Sequence, residues 1–176
     1  NDEIHYARNV MKTNTTTVQT FVSINRGPAG VVNTGKIQWF EPMDRKVGPA
    51  TGFSVDALDK LPRVDVIYAH ANMSADLIDA AIKNGAKGLV IAGVGDGNMT
   101  TPALDAVTRA AKSGIVVVRS TRLASGITLR NNEVNDDEKG LVASGELNPA
   151  KSRVLLQLAL TKTNDPVQIQ RMFYEY

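Results

Sequence analysis

The sequence contains no cysteine and only two histidines, His5 and His70. The lack of cysteine excludes thiolate catalysis, disulfide bonds and cysteine-based metal sites. The two histidines are far apart in the sequence and lack the spacing of metal ligands. A Ser-His-Asp hydrolase would need one of them, and the G-x-S-x-G turn of such enzymes does not occur. Any nucleophile must therefore be another residue type or lie outside this sequence.

Aromatic residues and clustered charges are also scarce. Aromatic side chains make up 5% of the 176 residues, and the 20 basic residues are scattered, with a net charge of +2. The sequence thus has neither a basic stripe nor a stacking platform, so we expect no nucleic acid partner. No apolar run approaches the roughly 20 residues of a membrane helix, so we expect no membrane partner. The hydrophobic content of 43% is enough for a packed core.

The first 62 residues differ in character from the rest. The chain starts at Asn1 without an initiator methionine or a signal-like segment, so we expect processing or a cut inside a longer protein. Residues 1–40 have too few apolar positions for a core and are predicted to be the tail of a missing domain. Residues 18–21 predict a short strand or helix, and residues 30–40 a hairpin with Gly35 at positive φ. Residues 41–62, rich in proline, glycine and charge, predict a surface linker.

Residues 63–176 alternate short apolar runs with amphipathic patterns. Strands are predicted at 64–69, 88–92, 115–119 and 140–143. A helix from Ser74, as N-cap, to Asn84 should bury Leu77, Ile78, Ala81 and Ile82, and a second should span 101–113. Asn148-Pro149 and Asp165-Pro166 each pair a capping residue with proline at the first helical position. This alternation predicts a complete small α/β domain, with a parallel sheet covered by helices on both sides.

The segment ARNVMKTNT, residues 7–15, places Lys12 among small and hydroxyl-bearing neighbours. The segment has hydrogen-bonding groups but no carboxylate close to the lysine in sequence. If Lys12 is buried, its pKa should fall towards the range in which it can act as a base. The alternative is a solvated lysine in a polar loop, since most lysines are exposed.

Ligands of open α/β sheets bind beyond the carboxyl ends of the strands, which directs attention to three loops. The glycine loop, residues 93–98, lets the backbone approach a ligand or partner chain, or it is simply a turn between strand and helix. It has neither the full dinucleotide fingerprint nor the lysine of a P-loop. Residues 120–122 are expected to make structural hydrogen bonds.

The third loop, residues 123–139, is here called the acidic loop because it contains Glu133, Asp136, Asp137 and Glu138. A connection of this length in a compact domain is often functional. A glutamate in it could bind a substrate ammonium through a charge-assisted hydrogen bond. The alternative is a solvated acidic turn.

Eight segments together resemble the C-terminal part of the bacterial type II L-asparaginases, a family that includes glutaminase-asparaginases. The resemblance spans the whole chain, and the segments are NDEIH, KTNTT, LPRVD, AGVGDGN, VVVRSTR, LVASGELNP, RVLLQLALTKT and DPVQIQRMFYEY. It implies a larger N-terminal α/β domain, mostly absent here, followed by a linker and a smaller flavodoxin-like C-terminal domain. Residues 1–40 would then be the tail of the catalytic domain, 41–62 the linker and 63–176 the C-terminal domain.

The resemblance also implies a reaction. The family hydrolyses the side-chain amide of L-asparagine to L-aspartate and ammonia, often with some activity on L-glutamine, and uses no cofactor. A threonine attacks the amide carbon, and a second threonine, a lysine and an aspartate form a triad. Lys12 matches that lysine, and in its neutral form it could take the proton of a threonine hydroxyl.

Two further positions carry over from the resemblance. Asn98 matches a substrate-site asparagine, and Glu133 matches the glutamate that holds the substrate's α-amino group. In the family both reach the active site of a neighbouring subunit in an intimate dimer, and two dimers form a tetramer. The family also implies a periplasmic or secreted location.

The departures from the family pattern leave two hypotheses. No T-G-G-T-I or H-G-T-D-T stretch occurs, so both catalytic threonines and the triad aspartate are missing, and Asp96 stands where several relatives have asparagine or a small residue. The preferred hypothesis is that this chain is part of an amidohydrolase and that the isolated chain is inactive. The alternative is a non-enzymatic module that binds a small ligand or another subunit.

Overall fold

The computed structural model describes residues 1–40, 42 and 44–176. Glu41 and Met43, at the start of the predicted linker, lie outside the described residues. The chain divides into a first unit, Asn1–Arg45 with Ala124–Gly126, and a second unit, Lys46–Leu123 with Ile127–Tyr176.

The first unit consists of short antiparallel strands. A three-stranded sheet contains β1 (Glu3–Ile4), β4 (Gly30–Asn33) and β5 (Lys36–Trp39). A separate two-stranded ribbon contains β2 (Met11–Lys12) and β3 (Phe21–Val22). The predicted hairpin is confirmed, and its two-residue turn places both Thr34 (φ 49°) and Gly35 (φ 75°) in the left-handed region, which suits the twist of the flanking strands. Of the segment predicted as a strand or helix at 18–21, only Phe21 is in a strand, whereas Val18 is 94% exposed.

The second unit contains a four-stranded parallel sheet. Its strands are β6 (Val64–Tyr68), β7 (Gly88–Gly93), β8 (Val116–Thr121) and β9 (Val142–Ala143), in the spatial order β6-β7-β8-β9. The order follows the sequence, without the reversal that a doubly wound sheet makes. Because parallel crossovers are right-handed, sequential order places the connecting helices on one face of the sheet.

Helices cover both faces of this sheet, which confirms the predicted α/β class. The helices are α1 (Asp76–Lys83), α2 (Thr101–Lys112), α3 (Asp136–Lys139), α4 (Pro149–Ala159) and α5 (Pro166–Glu175). Alternate residues of β7 enter different cores: Leu89 and Ile91 pack with α1 and α2, while Val90 packs with α4 and α5. The described part of the chain has no helix with the length and apolar character needed to cross a membrane.

The two proline-led helices begin where the sequence predicts. Asn148 accepts a hydrogen bond from the backbone N–H of Lys151 at 3.0 Å, and Asp165 accepts one from Val167 at 2.9 Å. These side chains satisfy amide groups that the first turn of a helix leaves without a partner. Local chemistry alone therefore predicts both helix starts.

The start and buried face of α1 differ from the prediction. The N-cap is Ala75, without a side-chain cap, and Ser74 instead accepts a hydrogen bond from the N–H of Asp76 at 3.3 Å. Ile78 is buried, whereas Leu77 is 59% exposed. The helix starts later than predicted, and its buried stripe is narrower because Leu77 lines a groove beside β6, the edge strand of the sheet.

The predicted linker is mostly exposed over its described residues. It contains one short 3₁₀ helix, Gly48–Thr51, with proline in its first turn. Phe53, near its middle, is half-buried and packs edge-to-face on Tyr176 with ring centroids 5.2 Å apart. This aromatic contact attaches the segment to the end of α5.

Candidate functional site

Lys12 lies in the first unit, on β2. The strand pairs with β3, where Lys12 is opposite Phe21, and its ammonium lies 5.6 Å from the centroid of the Phe21 ring. The neighbouring Thr13 and Thr20 hydrogen-bond across the loop between the strands, with Thr13 Oγ1 donating to the Thr20 carbonyl at 2.9 Å. The side chain of Lys12 is exposed in this structure. The burial on which the sequence argument depended is therefore not observed within the described chain.

The glycine loop follows β7 in the second unit and folds back on itself. The backbone groups of Val94 and Asn98 exchange two hydrogen bonds, both of 2.8 Å, around the turn. Gly95 and Gly97 have φ values of 53° and 78°, which glycine adopts at little cost. A Cβ on Gly93 would lie 2.4 Å from the carbonyl carbon of Gly97. The N–H groups of Val94 and Asn98 already have partners, which disfavours a phosphate cradle.

The acidic loop is ordered by hydrogen bonds among its own side chains and between these side chains and its backbone. Asn131 and Arg130 both donate hydrogen bonds to the Asp137 carboxylate, the former at 2.6 Å. The bond from Asn131, followed by the bond and the positive charge of Arg130, lowers the pKa of Asp137 below its ordinary value. Asn135 caps α3 by accepting a hydrogen bond from the N–H of Glu138 at 3.1 Å. These internal hydrogen bonds give the loop a defined conformation, which a solvated acidic turn would lack.

The structure brings two of the three predicted site residues together. The side-chain amide of Asn98 donates a hydrogen bond of 2.8 Å to Oε2 of Glu133. Glu133 is exposed and Asn98 is partly exposed. The pair therefore presents a carboxylate that is oriented by a neutral donor and open to a cationic group.

Asp96 connects the same two loops beside this pair. Its carboxylate accepts hydrogen bonds from the N–H of Leu129 at 2.6 Å and from the side chain of Asn132 at 2.7 Å. Asn132 immediately precedes Glu133, and Asp96 lies two residues before Asn98. The carboxylate of Asp96 thus connects the glycine loop to the acidic loop through two hydrogen bonds.

Sequence reasoning missed a buried ion pair beneath these loops. Arg119 and Asp136 have no exposed side-chain surface, and Nε and Nη2 of Arg119 bind the two carboxylate oxygens at 2.6 and 2.7 Å. The available signal was the charged Arg119 at the end of the apolar run Ile115–Val118, a position that enters a buried sheet. Asp136 was singled out only as one member of an acidic group, because its partner depends on how the loop closes.

The predicted structural role of residues 120–122 is confirmed. Ser120 is buried and donates to the carbonyl of Leu147 at 2.9 Å. Thr121 accepts from the N–H of Leu123 at 3.2 Å, and Arg122 donates to the carbonyl of Ala69 at 2.8 Å. These bonds attach the end of β8 to its surroundings.

The described residues contain no group of three or more histidine, cysteine, aspartate or glutamate side chains that could hold a metal ion. His5 instead faces Glu3, with Nε2 3.3 Å from the carboxylate, and Ser23 Oγ, 2.9 Å from Nδ1. His70 is exposed and lies 2.8 Å from the carbonyl of Ala71. A groove of about 760 Å³ runs along the edge strand β6, and neither Asn98 nor Glu133 lines it.

Comparison with known protein families shows the family to which this chain belongs. Residues 63–173 match the family model described as the glutaminase/asparaginase C-terminal domain, and residues 1–45 match the model of the N-terminal asparaginase domain. The chain belongs to the glutaminase/asparaginase family. The segment matched by the C-terminal model contains the whole parallel sheet together with Asn98, Arg119 and Glu133.

Several members of this glutaminase/asparaginase family align with the entire chain. An "L-asparaginase 2" from Escherichia coli is 48% identical over 176 residues, which are 100% of this chain and 51% of that protein. A "Probable L-asparaginase periplasmic" from Haemophilus influenzae is 47% identical over 100% of this chain and 50% of its own length. A "Glutaminase-asparaginase" from Acinetobacter glutaminasificans is 39% identical over 100% of this chain and 54% of its length. The chain therefore spans about half the length of these relatives.

Proposed function

We propose that this chain is the C-terminal portion of an amidohydrolase that converts L-asparagine to L-aspartate and ammonia without a cofactor, with secondary activity on L-glutamine. Residues 1–40 would end the catalytic domain, residues 41–62 would be the linker and residues 63–176 the C-terminal domain. The observation that carries the proposal is the hydrogen bond between Asn98 and Glu133, which joins two candidate substrate-binding residues. The names of the full-length relatives, L-asparaginase and glutaminase-asparaginase, support the substrate.

Glu133 is proposed to bind the α-ammonium group of L-asparagine. A hydrogen bond between a carboxylate and an ammonium is worth about 1.5–3 kcal/mol. Asn98 occupies one position on Oε2 at 2.8 Å and so limits the rotation of the carboxylate. A neutral donor can orient Glu133 without cancelling the negative charge that attracts the substrate.

Lys12 is proposed to be the catalytic base. In its neutral form its amine would take the proton of a threonine hydroxyl, directly or through a water molecule, and so activate a weak nucleophile. The nucleophilic threonine, a second threonine and an aspartate would come from the half of the relatives that this chain does not span. Desolvation by that half is the physical means by which an exposed lysine could become a base.

The complete protein is proposed to be a tetramer made of two intimate dimers. Glu133 is exposed and Asn98 partly exposed on the second unit, so a neighbouring subunit could reach both. The proposed location is the periplasm or the cell exterior, and the name of the H. influenzae relative supports the periplasm.

A second candidate function, binding without hydrolysis, also has an observation in its favour. The second unit has its own two apolar cores and holds both Asn98 and Glu133. It could therefore bind an amino acid or another subunit without a nucleophile. Ammonia release distinguishes the two functions, because a binding module releases none in any fusion.

The test joins this chain to the N-terminal half of the 48% identical E. coli relative and measures ammonia release from L-asparagine. We expect measurable turnover by the fusion and none by the isolated chain. Lys12→Met keeps much of the stem volume and removes the base, so kcat should fall by about 10²–10⁴-fold. Lys36→Met, an exposed lysine on β5, is the matched control and should keep turnover. Turnover by the isolated chain, or near-normal turnover by Lys12→Met, would contradict the assignment.

A further inference from the structure

Arg119 makes more bonds than its ion pair requires. Besides its two bonds to Asp136, its Nη1 donates to the carbonyl of Asp96 at 2.8 Å and its Nη2 to the carbonyl of Leu129 at 3.0 Å. One guanidinium group thus binds the glycine loop and the acidic loop at the same time. Its planar fork of donors is suited to holding several acceptors in fixed directions.

The bonded groups bracket the two candidate substrate-binding residues. Asp96 lies two residues before Asn98, while Leu129 lies before Glu133 and Asp136 after it. Asp136 also accepts a hydrogen bond from the N–H of Asn131 at 2.9 Å, so both sides of the acidic loop are attached to the same pair. Arg119 and Asp136 therefore constrain the positions of Asn98 and Glu133 through bonds to the backbone of the two loops.

A contribution to stability does not by itself explain why Arg119 and Asp136 form a buried ion pair. Removing two charges from water carries a desolvation cost, and apolar residues of similar volume often stabilise a protein as well as a buried ion pair does. An apolar pair could fill the space of Arg119 and Asp136, but it could not bond the carbonyls of Asp96 and Leu129. The bonds to these two loops are what the ion pair adds beyond packing.

We propose that Arg119, held by Asp136, is a positioning residue that sets Asn98 against Glu133 and so determines selectivity for ligands with an α-ammonium group. The selectivity part rests on the proposed function, whereas the positioning part does not. Lysine at position 119 keeps the charge but carries its donors on a single nitrogen, which cannot replace the three guanidinium nitrogens that bond Asp96, Leu129 and the Asp136 carboxylate.

The positioning part is tested by NMR on the 176-residue chain, without any turnover. The side-chain amide signal of Asn98 is identified by its loss in Asn98→Ala, and Glu133→Gln shows where it moves when the carboxylate is absent. We expect Arg119→Lys to move it in the same direction. The control is Arg63→Lys, which changes an exposed arginine that donates hydrogen bonds to the Asp65 carboxylate. This variant should leave the Asn98 signal at its original position.

An Asn98 signal that stays at its original position in Arg119→Lys would overturn the positioning role. If Arg119→Lys does not fold, Asp136→Asn replaces it in the same measurement, because it keeps the side-chain shape while it removes the negative charge and one acceptor oxygen that hold Arg119. The same two outcomes then apply to the Asp136→Asn variant.

The selectivity part is tested by calorimetric binding of L-aspartate and succinate, which differ only in the amino group, to the fusion described above. We expect Arg119→Lys to weaken L-aspartate binding by about tenfold or more and succinate binding much less. Equal weakening of both ligands, or of neither, would overturn the selectivity role. If the unsubstituted fusion shows no preference for L-aspartate, the proposed function fails, and the NMR result still decides the positioning role.

Discussion

The side-chain amide of Asn98 donates a hydrogen bond of 2.8 Å to the carboxylate of Glu133, 35 residues further along the chain. The glycine loop supplies the amide and the acidic loop the carboxylate, and both loops lie at the same end of the parallel sheet. The two residues have different chemistry, because Glu133 carries the charge and Asn98 orients it. Substitutions at the two positions should therefore have different effects on a cationic ligand.

Glu133→Gln in the fusion with the E. coli N-terminal half should reduce kcat/KM for L-asparagine by about 10–100-fold, mostly through a higher KM. The substitution keeps the shape of the side chain and removes the charge that is proposed to pair with the substrate ammonium, an interaction worth about 1.5–3 kcal/mol. Steady-state ammonia release measures the effect. The matched control is Glu138→Gln, an exposed glutamate on α3. An equal loss in both variants would mean that the net charge of the loop matters and that Glu133 has no specific role.

Gly93→Ala should destabilise the chain by about 1–3 kcal/mol or more, as overpacking does. Its Cβ would lie 2.4 Å from the carbonyl carbon and 2.6 Å from the Cα of Gly97, so the turn of the glycine loop must shift. Gly95→Ala is the comparison, because it has φ 53° but nothing within 4 Å of the added carbon. The left-handed conformation alone costs about 1–2 kcal/mol.

Urea unfolding of the two glycine variants measures the difference. We also expect Gly93→Ala, unlike Gly95→Ala, to move the Asn98 side-chain amide signal. The close-approach argument is wrong if Gly93→Ala is no less stable than the parent chain.

Asn131→Gly should raise the pKa of Asp137 towards its ordinary value of 3.8, because the bond from Asn131 is the largest cause of its lowering. Glycine suits this position, where Asn131 has φ 56°, so backbone strain does not confuse the comparison. NMR titration of the Asp137 carboxyl carbon measures the pKa. The same value in both proteins would exclude Asn131 as the cause.

The sign of the pH effect follows from the direction of this shift. Because the folded-state pKa of Asp137 is lowered, its bonds stabilise the protein above the unfolded-state pKa, near 3.8, and this stabilisation is lost as the pH falls through the lower folded-state value. The contribution of the Asn131–Asp137 bond to the difference in unfolding free energy between the parent chain and Asn131→Gly should therefore be greatest at neutral pH. It should decrease as the pH is lowered below about 4.

Elements specified by neighbouring residues were predictable from the sequence. The starts of α4 and α5, the hairpin turn at Thr34-Gly35 and the four parallel strands depend on caps, turn residues and short apolar runs. The start of α1 and the exposure of Leu77 were predicted wrongly. The local pattern shows an apolar residue but not how far the edge of the sheet extends beneath it.

The sequence by itself determined the α/β class of residues 63–176, the two loops worth examining and, through family resemblance, the candidate residues Lys12, Asn98 and Glu133. Only the tertiary structure decided that Asn98 bonds Glu133 and that Arg119 lies buried on Asp136 beneath both loops. The physical reason is distance along the chain. Caps and turns are closed by residues a few positions apart, whereas a buried guanidinium bonds whichever acceptors the sheet and its loops bring within about 3 Å of it.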